Sequence, residues 1–438
     1  MKRRLFLAMW CMLPVALVAQ PAALAPEKIR RIEQAVATQM SRSSIPGVSI
    51  AIAAGSQLLW AAGYGMADLE NFVPVTPLTE IRLGSISKPV TAIAVMQLVE
   101  AGKMDLDGEI QRYLPSFPNK QWPVTVRQLL GHLGGVRHYR DADEEGSTRH
   151  YTDRMEPLKI FAGDPLLFEP GTRYSYTTYG FNLLGAAVEA ASGEKYLDYV
   201  QAHVFQPAGM DHIRDDNAYA LIPHRARGYR LTASGDIENC ALADTSNKIP
   251  GGGLISTASD LVKFALAVNS GTLIKKETVE LMLTPQHTRD GKATGYGMGF
   301  GVNQFEGRRQ AGHGGGQQGI STQLVFYPGE GVALAIMVNL EDARGLVELT
   351  NEVSKIALEH YPCARCYRSE YEPSRFSFLR SPGFGRRANG RAFIAPCGGG
   401  QACHLYGRWR APDAGGVWRR AGFAHGSGSR QLLPGRGG

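Results

Sequence analysis

The most restrictive feature of this sequence is a ten-residue run, Val90–Val99, in which only Thr91 and Gln97 are polar. A helix of this composition is apolar on nearly every side, so it belongs in a protein core rather than on a surface. Pro89 suits the first turn of such a helix, and Gly102 suits a stop just beyond its end. The pattern therefore predicts a buried central helix around which the rest of the chain packs.

Ser85 and Lys88 lie three residues apart at the start of this helix, one turn apart on the same face. Free backbone N–H groups and the helix dipole favour negative charge there, as a serine alkoxide or a substrate oxyanion requires. A lysine in an apolar site loses its proton more easily and can then take the proton of the serine. Taken alone, however, the two residues fit a helix-capping serine beside a surface lysine equally well.

The same Ser-x-x-Lys spacing recurs at Ser192 and Lys195. This second copy follows an apolar helix pattern, Leu183–Ala191, which Gly193 would end. It would therefore lie at the negative end of a helix dipole, where an alkoxide is disfavoured. We interpret the second copy as a helix cap and a turn.

Residues 1–25 have the organisation of an export signal. The basic residues Lys2–Arg4 precede an apolar run, Leu5–Ala19, and Ala23–Ala25 offers a small-residue cleavage site, with cuts near Ala19 or Ala22 as alternatives. The run is short for a membrane span, and no later segment is long enough for one. The sequence predicts an exported protein, periplasmic or secreted, with no stable membrane span after cleavage; a retained anchor is the alternative.

The formal net charge of +7 comes from a C-terminal tail, residues 363–438. The tail has thirteen Arg and no Lys against three acidic residues, so it carries +10 and the rest of the chain carries −3. Nucleic-acid binding by the body is therefore not indicated. The tail is rich in Gly and Arg without a sustained period, which predicts a disordered extension or a stretch read in a non-native frame. Its cysteines fit a zinc site poorly in their spacing: Cys363, Cys366, Cys397 and Cys403.

Strand patterns occur at both ends of residues 26–362, and helix patterns lie between them. The predicted helices and strands at the two ends are Pro26–Ser41, Val48–Ala53, Leu58–Tyr64, Tyr296–Val302, Arg309–His313, Thr322–Tyr327, Val332–Val338 and Leu346–Leu358. The middle, about residues 100–250, is mostly helical, and its charged stretch 139–163 suggests a surface insertion near a cleft. This order predicts one α/β domain, an antiparallel sheet flanked by helices with an all-α region inserted. With Cys240 as its one cysteine, the body does not depend on disulfides.

Three motifs in order resemble the serine β-lactamase and penicillin-binding-protein superfamily, in its class C-like branch of esterases, D-amino-acid peptidases and LACTB-like proteins. The first is Ser85-x-x-Lys88. The second is Tyr176-Thr177-Thr178, at the family's Tyr-x-Asn, and the third is His313-Gly314-Gly315, at its Lys-Thr-Gly or His-x-Gly. The resemblance covers about Pro26–Tyr361, with supporting matches at residues 129–135 and 252–257. It implies the β-lactamase/transpeptidase-like fold.

The resemblance also implies a role for each motif. Ser85 would attack a carbonyl carbon and form an acyl-enzyme, which water then hydrolyses. Lys88 and Tyr176 would share the proton transfers, and the backbone N–H groups of Ser85 and Gly316 would form the oxyanion hole. The predicted substrate-binding residues are Thr178, His313 and Gly315. His313 would present a polar or cationic group to the substrate, and no cofactor or metal is expected.

Departures from the family pattern bear on the substrate. Thr178 stands where Asn is usual, and a hydroxyl offers fewer hydrogen bonds than a carboxamide, which disfavours efficient lactam hydrolysis. LACTB-like members are similar in having a hydroxyl residue at this position. His313 replaces the Lys of penicillin binders, which points toward esterases or peptidases. The supporting stretch His132-Leu133-Gly134 lacks its usual hydroxyl, and no role is assigned to it.

The sequence therefore predicts a serine hydrolase that cleaves an ester, amide or peptide bond in a small-molecule or peptide substrate. The alternative is a penicillin-binding sensor or scaffold that is acylated without turnover. Only a measurement of turnover separates the two, because both need the same nucleophile. The oligomeric state is left open.

Overall fold

The computed structural model describes residues 23–359 and residue 361 of the chain. Most of the predicted export signal, through Ala22, and the tail of residues 363–438 lie outside the described residues. The predictions made for signal cleavage, for the tail and for its cysteines therefore stay predictions. No helix among the described residues is both long enough and apolar enough to cross a membrane.

The described residues form twelve strands and ten α-helices. The strands are β1 (Gly47–Ala54), β2 (Gln57–Asp68), β3 (Val73–Pro74), β4 (Ile81–Arg82), β5 (Arg214–Asp215), β6 (Tyr229–Leu231), β7 (Ile237–Asn239), β8 (Leu254–Ser256), β9 (Gly301–Phe305), β10 (Arg308–Gln317), β11 (Ile320–Tyr327) and β12 (Val332–Val338). The helices are α1 (Pro26–Ser43), α2 (Ser87–Glu100), α3 (Val126–Leu130), α4 (Ala142–Glu145), α5 (Thr178–Ser192), α6 (Tyr196–Val200), α7 (Ile249–Gly252), α8 (Ala258–Ser270), α9 (Lys276–Met282) and α10 (Leu346–Leu358).

Seven strands form the main sheet in the order β3-β2-β1-β12-β11-β10-β9, and every neighbouring pair is antiparallel. β1, from the start of the domain, pairs with β12, from its end, so that Val48 lies opposite Val338. The sheet is therefore built from both ends of the chain, as the strand patterns predict. The inserted middle is largely helical, but it also contains short strands that the sequence did not reveal, including the hairpin β6-β7.

Side chains of the central strands alternate between two hydrophobic clusters, one on each face of the main sheet. In β1, Ala51 and Ala53 belong to the larger cluster, whereas Val48, Ile50 and Ile52 belong to the smaller one. Helices α1 and α10 cover the smaller cluster, and α2, α5 and α8 contribute to the larger one. The small alanine side chains leave room for α8 to pack directly on β1 and β12.

Helix α2 is the buried central helix that the sequence predicts. Eleven of its fourteen residues are buried, and the helix packs against α5 and α7. Gly102 follows its end with a φ of 69°, a left-handed conformation that glycine adopts without steric cost. Because its neighbours enclose α2 on all sides, its N-terminal end is held in a fixed position near the main sheet.

The predicted strand over Tyr296–Val302 is wrong. Residues 296–300 form a loop, and β9 begins only at Gly301. Gly295 and Gly299 have φ values of 70° and 82°, which a β-strand does not accommodate. Gly299 also lies against α2, where an added Cβ would be 2.3 Å from the Cβ of Ala92. The glycines therefore bend the chain into close contact with the central helix. The closing helix α10, in contrast, has the predicted bounds.

Candidate active site

Ser85 lies in a short 3-10 turn, Gly84–Ile86, that leads directly into α2. Thr322 Oγ1 donates a hydrogen bond to the Leu83 carbonyl at 2.9 Å and so ties this turn to β11. Ser87 Oγ donates to the Gly84 carbonyl, also at 2.9 Å. The nucleophile is thus placed by side chains on both sides of the turn, at the N-terminal end of a buried helix.

The side chain of Lys88 is fully buried, with 0% of its surface exposed, and its amine makes three polar contacts. Nζ lies 3.0 Å from Ser85 Oγ, 3.1 Å from Thr178 Oγ1 and 2.6 Å from the Gly251 carbonyl oxygen. A neutral amine has two hydrogens and one lone pair, and a carbonyl can only accept. When Gly251 and Thr178 accept the two hydrogens, the lone pair faces the Ser85 hydroxyl. This is the geometry in which an amine accepts the proton of a serine.

Burial lowers the pKa of Lys88 well below its usual value, and the nearby positive charge of Lys248 lowers it further. Both effects disfavour the ammonium form, because a buried charge loses its hydration and is repelled by a like charge. A lysine with a lowered pKa is available as a general base closer to neutral pH. The electrostatics of the site therefore agree with its hydrogen-bond geometry.

Tyr176 lies beside both of these residues. Its ring centroid is 4.7 Å from Lys88 Nζ, and its side chain is hydrogen-bonded to Ser85. Burial raises the pKa of Tyr176, and the bond to Ser85 opposes only part of that rise. Tyr176 is therefore a neutral phenol, suited to passing a proton on rather than to holding a negative charge. The structure brings together all three residues that were predicted to be catalytic.

His132, to which the sequence assigned no role, fixes the position of Tyr176. Its carbonyl accepts the Ser175 N–H at 2.9 Å, and its Nδ1 accepts the Thr177 N–H at 3.2 Å. The two rings pack with their centroids 4.3 Å apart. His132 thus holds the backbone on either side of Tyr176 as well as the ring itself. The φ of His132 is 59°, which is unusual for a residue other than glycine, and no sequence signal reveals this conformation.

Thr178 is the first residue of α5, and it is buried rather than exposed on the cleft wall. Its hydroxyl contacts Lys88 and is also hydrogen-bonded to Tyr139. Its backbone N–H donates to His138 Nδ1 at 3.3 Å. The contact of Thr178 with a substrate stays a prediction, and the structure shows its hydroxyl in contact with the amine of Lys88.

Strand β10, which contains the third motif, passes close to the backbone of the turn around Ser85. A Cβ added to Gly315 would be 2.0 Å from the Leu83 carbonyl oxygen, and one added to Gly84 would be 2.9 Å from the Gly316 nitrogen. Gly316 itself is exposed, and a Cβ there would meet no atom within 4 Å. The predicted oxyanion donors, the N–H groups of Ser85 and Gly316, thus belong to adjoining segments at an open surface.

His313 is buried on β10, with 3% of its surface exposed, and hydrogen bonds involve both of its ring nitrogens. Nδ1 lies 2.6 Å from the Gly314 carbonyl, which can only accept, so Nδ1 carries the hydrogen and Nε2 accepts from the Tyr296 hydroxyl at 3.0 Å. Burial, followed by the charge of Lys88, lowers the pKa of His313 to about 3. Of the two alternatives left open for His313, the geometry favours a neutral polar group over a cation.

Known proteins resemble this chain in sequence and in fold. A sequence profile of the Beta-lactamase family matches residues 32–357, which is most of the chain. The chain belongs to the Beta-lactamase family. It is 30% identical over 424 residues to the human protein described as serine beta-lactamase-like protein LACTB, mitochondrial, with 72% of this chain and 76% of the human protein covered. The predicted resemblance is confirmed.

Solved structures of this family share the fold. The D-amino acid amidase from Ochrobactrum anthropi, complexed with L-phenylalanine amide, has a TM-score of 0.66 at 24% identity, with 76% of this chain and 99% of the amidase covered. EstCE1, a hydrolase with promiscuous acyltransferase activity, has a TM-score of 0.64 at 20% identity, with 75% and 98% covered. As a Beta-lactamase-family protein with this fold and these motifs, the chain is a serine hydrolase of that family.

Proposed function

We propose that this protein hydrolyses an ester or amide bond, including a peptide bond, of a small-molecule or peptide substrate through an acyl-enzyme on Ser85. The observation that carries the proposal is the arrangement around Lys88, whose amine has two acceptors for its hydrogens and the Ser85 hydroxyl at its lone pair. This arrangement supports removal of the serine proton, the first step of acylation, and turnover is left to the experiment below.

The proposed reaction has two halves. Ser85 Oγ bonds to the carbonyl carbon while its proton moves to Lys88 Nζ, and the resulting oxyanion lies at the N–H groups of Ser85 and Gly316. The Tyr176 hydroxyl passes the proton from Lys88 to the departing alcohol or amine, and the acyl-enzyme remains. Water then repeats the attack with the same proton route, and Ser85 leaves with its hydroxyl restored.

Open, neutral substrates fit this site better than β-lactams. The Thr178 hydroxyl is occupied by Lys88 and Tyr139, so it offers no donor to a lactam side-chain amide in the way that an asparagine carboxamide would. His313 is neutral and bonded on both ring nitrogens, so it supplies no fixed cation for a substrate carboxylate. An amidase and a hydrolase with acyltransferase activity are among the proteins of the same fold, in agreement with this substrate class.

The test is an activity panel of p-nitrophenyl esters, D- and L-aminoacyl amides and nitrocefin, run on the purified chain. We expect multiple turnovers on esters or amides and a much lower rate on nitrocefin. The Ser85→Ala variant serves as the control for hydrolysis by other means. A single burst of product that equals the enzyme concentration, with no later turnover, would establish the acylated sensor instead of the enzyme.

The proposed location is outside the cytoplasm, in the periplasm or the medium, because the N-terminal residues are organised as an export signal. Leu24 is 7% exposed and belongs to the smaller hydrophobic cluster, and its N–H donates to the Leu59 carbonyl at 3.4 Å. Cleavage near Ala19 or Ala22 would keep this contact, whereas cleavage after Ala25 would remove it. N-terminal sequencing of the protein recovered from the cell envelope and medium tests both points.

A further inference from the structure

A second lysine, Lys248, is buried beside the site, with 2% of its surface exposed. It ends a 3-10 turn, Thr245–Lys248, and the next residues form α7, whose Gly251 carbonyl accepts the Lys88 amine. One short segment therefore supplies both an acceptor for one lysine and a second lysine. Two buried ammonium groups in one cluster would oppose folding, because each would lose hydration and repel the other, so the cluster favours a state in which one lysine is neutral.

Tyr139 and Thr178 connect the two lysines. Lys248 Nζ lies 5.2 Å from the centroid of the Tyr139 ring and donates to the Glu145 carbonyl at 2.5 Å. Tyr139 is hydrogen-bonded to Thr178, whose hydroxyl contacts Lys88 Nζ at 3.1 Å. The stem of Lys248 also passes the nucleophile turn: a Cβ added to Gly252 would be 3.8 Å both from Lys248 Cδ and from the Gly84 carbonyl carbon.

We propose that Lys248 is a positioning residue for the base: its positive charge disfavours a second ammonium nearby and so keeps the Lys88 amine neutral and able to accept the Ser85 proton. This inference rests on the proposed function, in which Lys88 is the base. Its place in the sequence, directly before Ile249-Pro250-Gly251, gives no sign of such a role, since a single lysine ahead of a glycine-rich turn ordinarily faces solvent.

The electrostatics of the cluster agree with this geometry. Burial is the larger cause of the lowered pKa of Lys88, and Lys248 is the second cause. The same two lysines, after burial, lower the pKa of His138 to about 3. The charge of Lys248 therefore lowers the pKa of both Lys88 and His138. Once Lys88 has taken a proton, the same repulsion makes its ammonium a better acid toward the leaving group.

Histidines, tyrosines and charged residues from the neighbouring elements lie beside the cluster of Lys88 and Lys248. Three histidines are neutral near pH 7, because burial is the main cause that lowers the pKa of each: His132, His138 and His313. Two tyrosines, Tyr139 and Tyr176, have raised pKa values through burial and stay neutral as well. Two charged residues also lie beside the cluster. Glu145 on α4 interacts electrostatically with Tyr139, and its backbone carbonyl accepts Lys248. Arg137 lowers the pKa of His138 further and forms ion pairs with Glu144 and Asp164.

The experiment measures kcat/KM against pH from 5 to 9. The substrate is p-nitrophenyl acetate, which has no ionisable group. The acid limb of this profile reports the protonation of Lys88. Lys248→Met removes a positive charge and stabilises the Lys88 ammonium, so the limb moves to higher pH, by on the order of one pH unit. Lys248→Arg keeps the charge and leaves the limb near its wild-type position.

Lys120 provides the matched control. Its Nζ likewise lies 5.0 Å from an aromatic centroid, that of Phe117, and donates to two backbone carbonyls, at Ala162 and Asp164. Lys120→Met removes a comparable set of contacts away from Ser85 and leaves the acid limb in place. An acid limb that stays unmoved in folded Lys248→Met overturns the proposal. If that variant does not fold, Lys248→Gln removes the same charge while keeping a donor for the Glu145 carbonyl, and an unmoved limb in folded Lys248→Gln overturns the proposal instead.

Failure of this proposal is distinct from failure of the proposed function. A fluorophosphonate probe labels an activated serine covalently, so labelling of the wild-type chain that Ser85→Ala abolishes establishes the nucleophile without reference to Lys248. Labelled wild type together with an unmoved acid limb rejects Lys248 alone. Absence of labelling and turnover in the wild type rejects the proposed function, and with it the role of Lys248.

Discussion

The chain contains the sequence Ser-x-x-Lys twice, and the two copies have opposite surroundings. Ser85 lies at the N-terminal end of α2, and its partner Lys88 is completely buried. Ser192 ends α5, and its hydroxyl donates back to the Val188 carbonyl at 2.7 Å, while Lys195 is exposed. The spacing is the same, but only in the first copy does the structure bring serine and lysine together, at 3.0 Å.

This difference shows that the position of the motif relative to the helix, rather than the motif itself, determines its chemistry. A serine at a helix C-terminus faces carbonyl groups and the negative end of the dipole, which disfavour an alkoxide. The Ser192 hydroxyl instead contacts backbone carbonyls of Val188, Glu189 and Glu194, and Lys195 is exposed to solvent. The second copy therefore has neither an activated nucleophile nor a base, and it serves as an internal control for the first.

The largest expected difference concerns the two serines. Ser85→Ala should abolish labelling by a fluorophosphonate probe and reduce ester hydrolysis to background, because no nucleophile remains. Ser192→Ala should leave both unchanged, because it removes only hydrogen bonds at the C-terminal end of α5, to Val188, Glu189 and Glu194. Labelling that survives in Ser85→Ala would show that another residue is the nucleophile. Gel fluorescence with a p-nitrophenyl ester assay measures both outcomes.

Replacing Lys88 should lower kcat by orders of magnitude more than replacing Lys195. Lys88→Met keeps the volume of the buried stem but removes the base, and we expect kcat to fall by about 10²–10⁴, the usual contribution of a positioned general base. Lys195→Met alters an exposed side chain and should leave kcat within experimental error. Steady-state kinetics on both variants, with thermal melts to confirm folding, measures the contrast. Equal rates for wild type and Lys88→Met would remove the lysine from the mechanism.

Replacing the glycine beside each Ser-x-x-Lys copy, Gly84 or Gly193, should give a difference in activity of intermediate size. Gly84 and Gly193 both have positive φ, at 53° and 80°, so Ala at either position should cost ~1–2 kcal/mol of stability. A Cβ at Gly84 would also press on the Gly316 nitrogen at 2.9 Å, whereas one at Gly193 would meet nothing within 4 Å. Gly84→Ala should therefore lose activity as well, by at least about tenfold for a displaced oxyanion donor. Comparable losses of activity in both variants would contradict this view of the turn.

The smallest expected effect concerns the charge of His313. Its pKa of about 3 lies below the ordinary value of about 6.5, so it becomes protonated only as the pH falls toward 3 and is neutral throughout pH 5–9. A substrate acid and its methyl ester should then give pH profiles of kcat/KM with the same shape in this range. A limb near pH 6.5 seen with the acid alone would show that His313 is a cation that binds carboxylates.

Features with a strong local signal could be predicted from the sequence. The apolar run after Ser85 predicted a buried helix. Apolar segments at both ends of residues 26–362 predicted a sheet whose strands come from the start and the end of the domain. The three motifs then identified Ser85, Lys88 and Tyr176, which the fold brings into contact. The helix and the sheet are confirmed because each depends on the composition of short stretches, and the catalytic roles of the three residues stay predictions.

The remaining features depend on contacts between distant segments. The strand predicted over residues 296–302 failed because Gly299 is held against α2, a contact that no local pattern shows. The burial of Thr178, the anchoring of Tyr176 by His132 and the approach of Lys248 to the base all join residues from three or more elements. Side-chain propensity at one position does not predict such arrangements, because tertiary packing decides them.

The pairing of β1 with β12 has a consequence for biosynthesis. Val48 cannot meet its partner Val338 until nearly the whole domain has left the ribosome, which at about 5–20 residues per second takes on the order of tens of seconds. During that time the apolar edge of β1 has no strand to bind, although its hairpin with β2 can form. The nascent domain therefore exposes this apolar edge over most of its synthesis, and its active site, which β10 and α2 complete together, can form only after β10 has been translated.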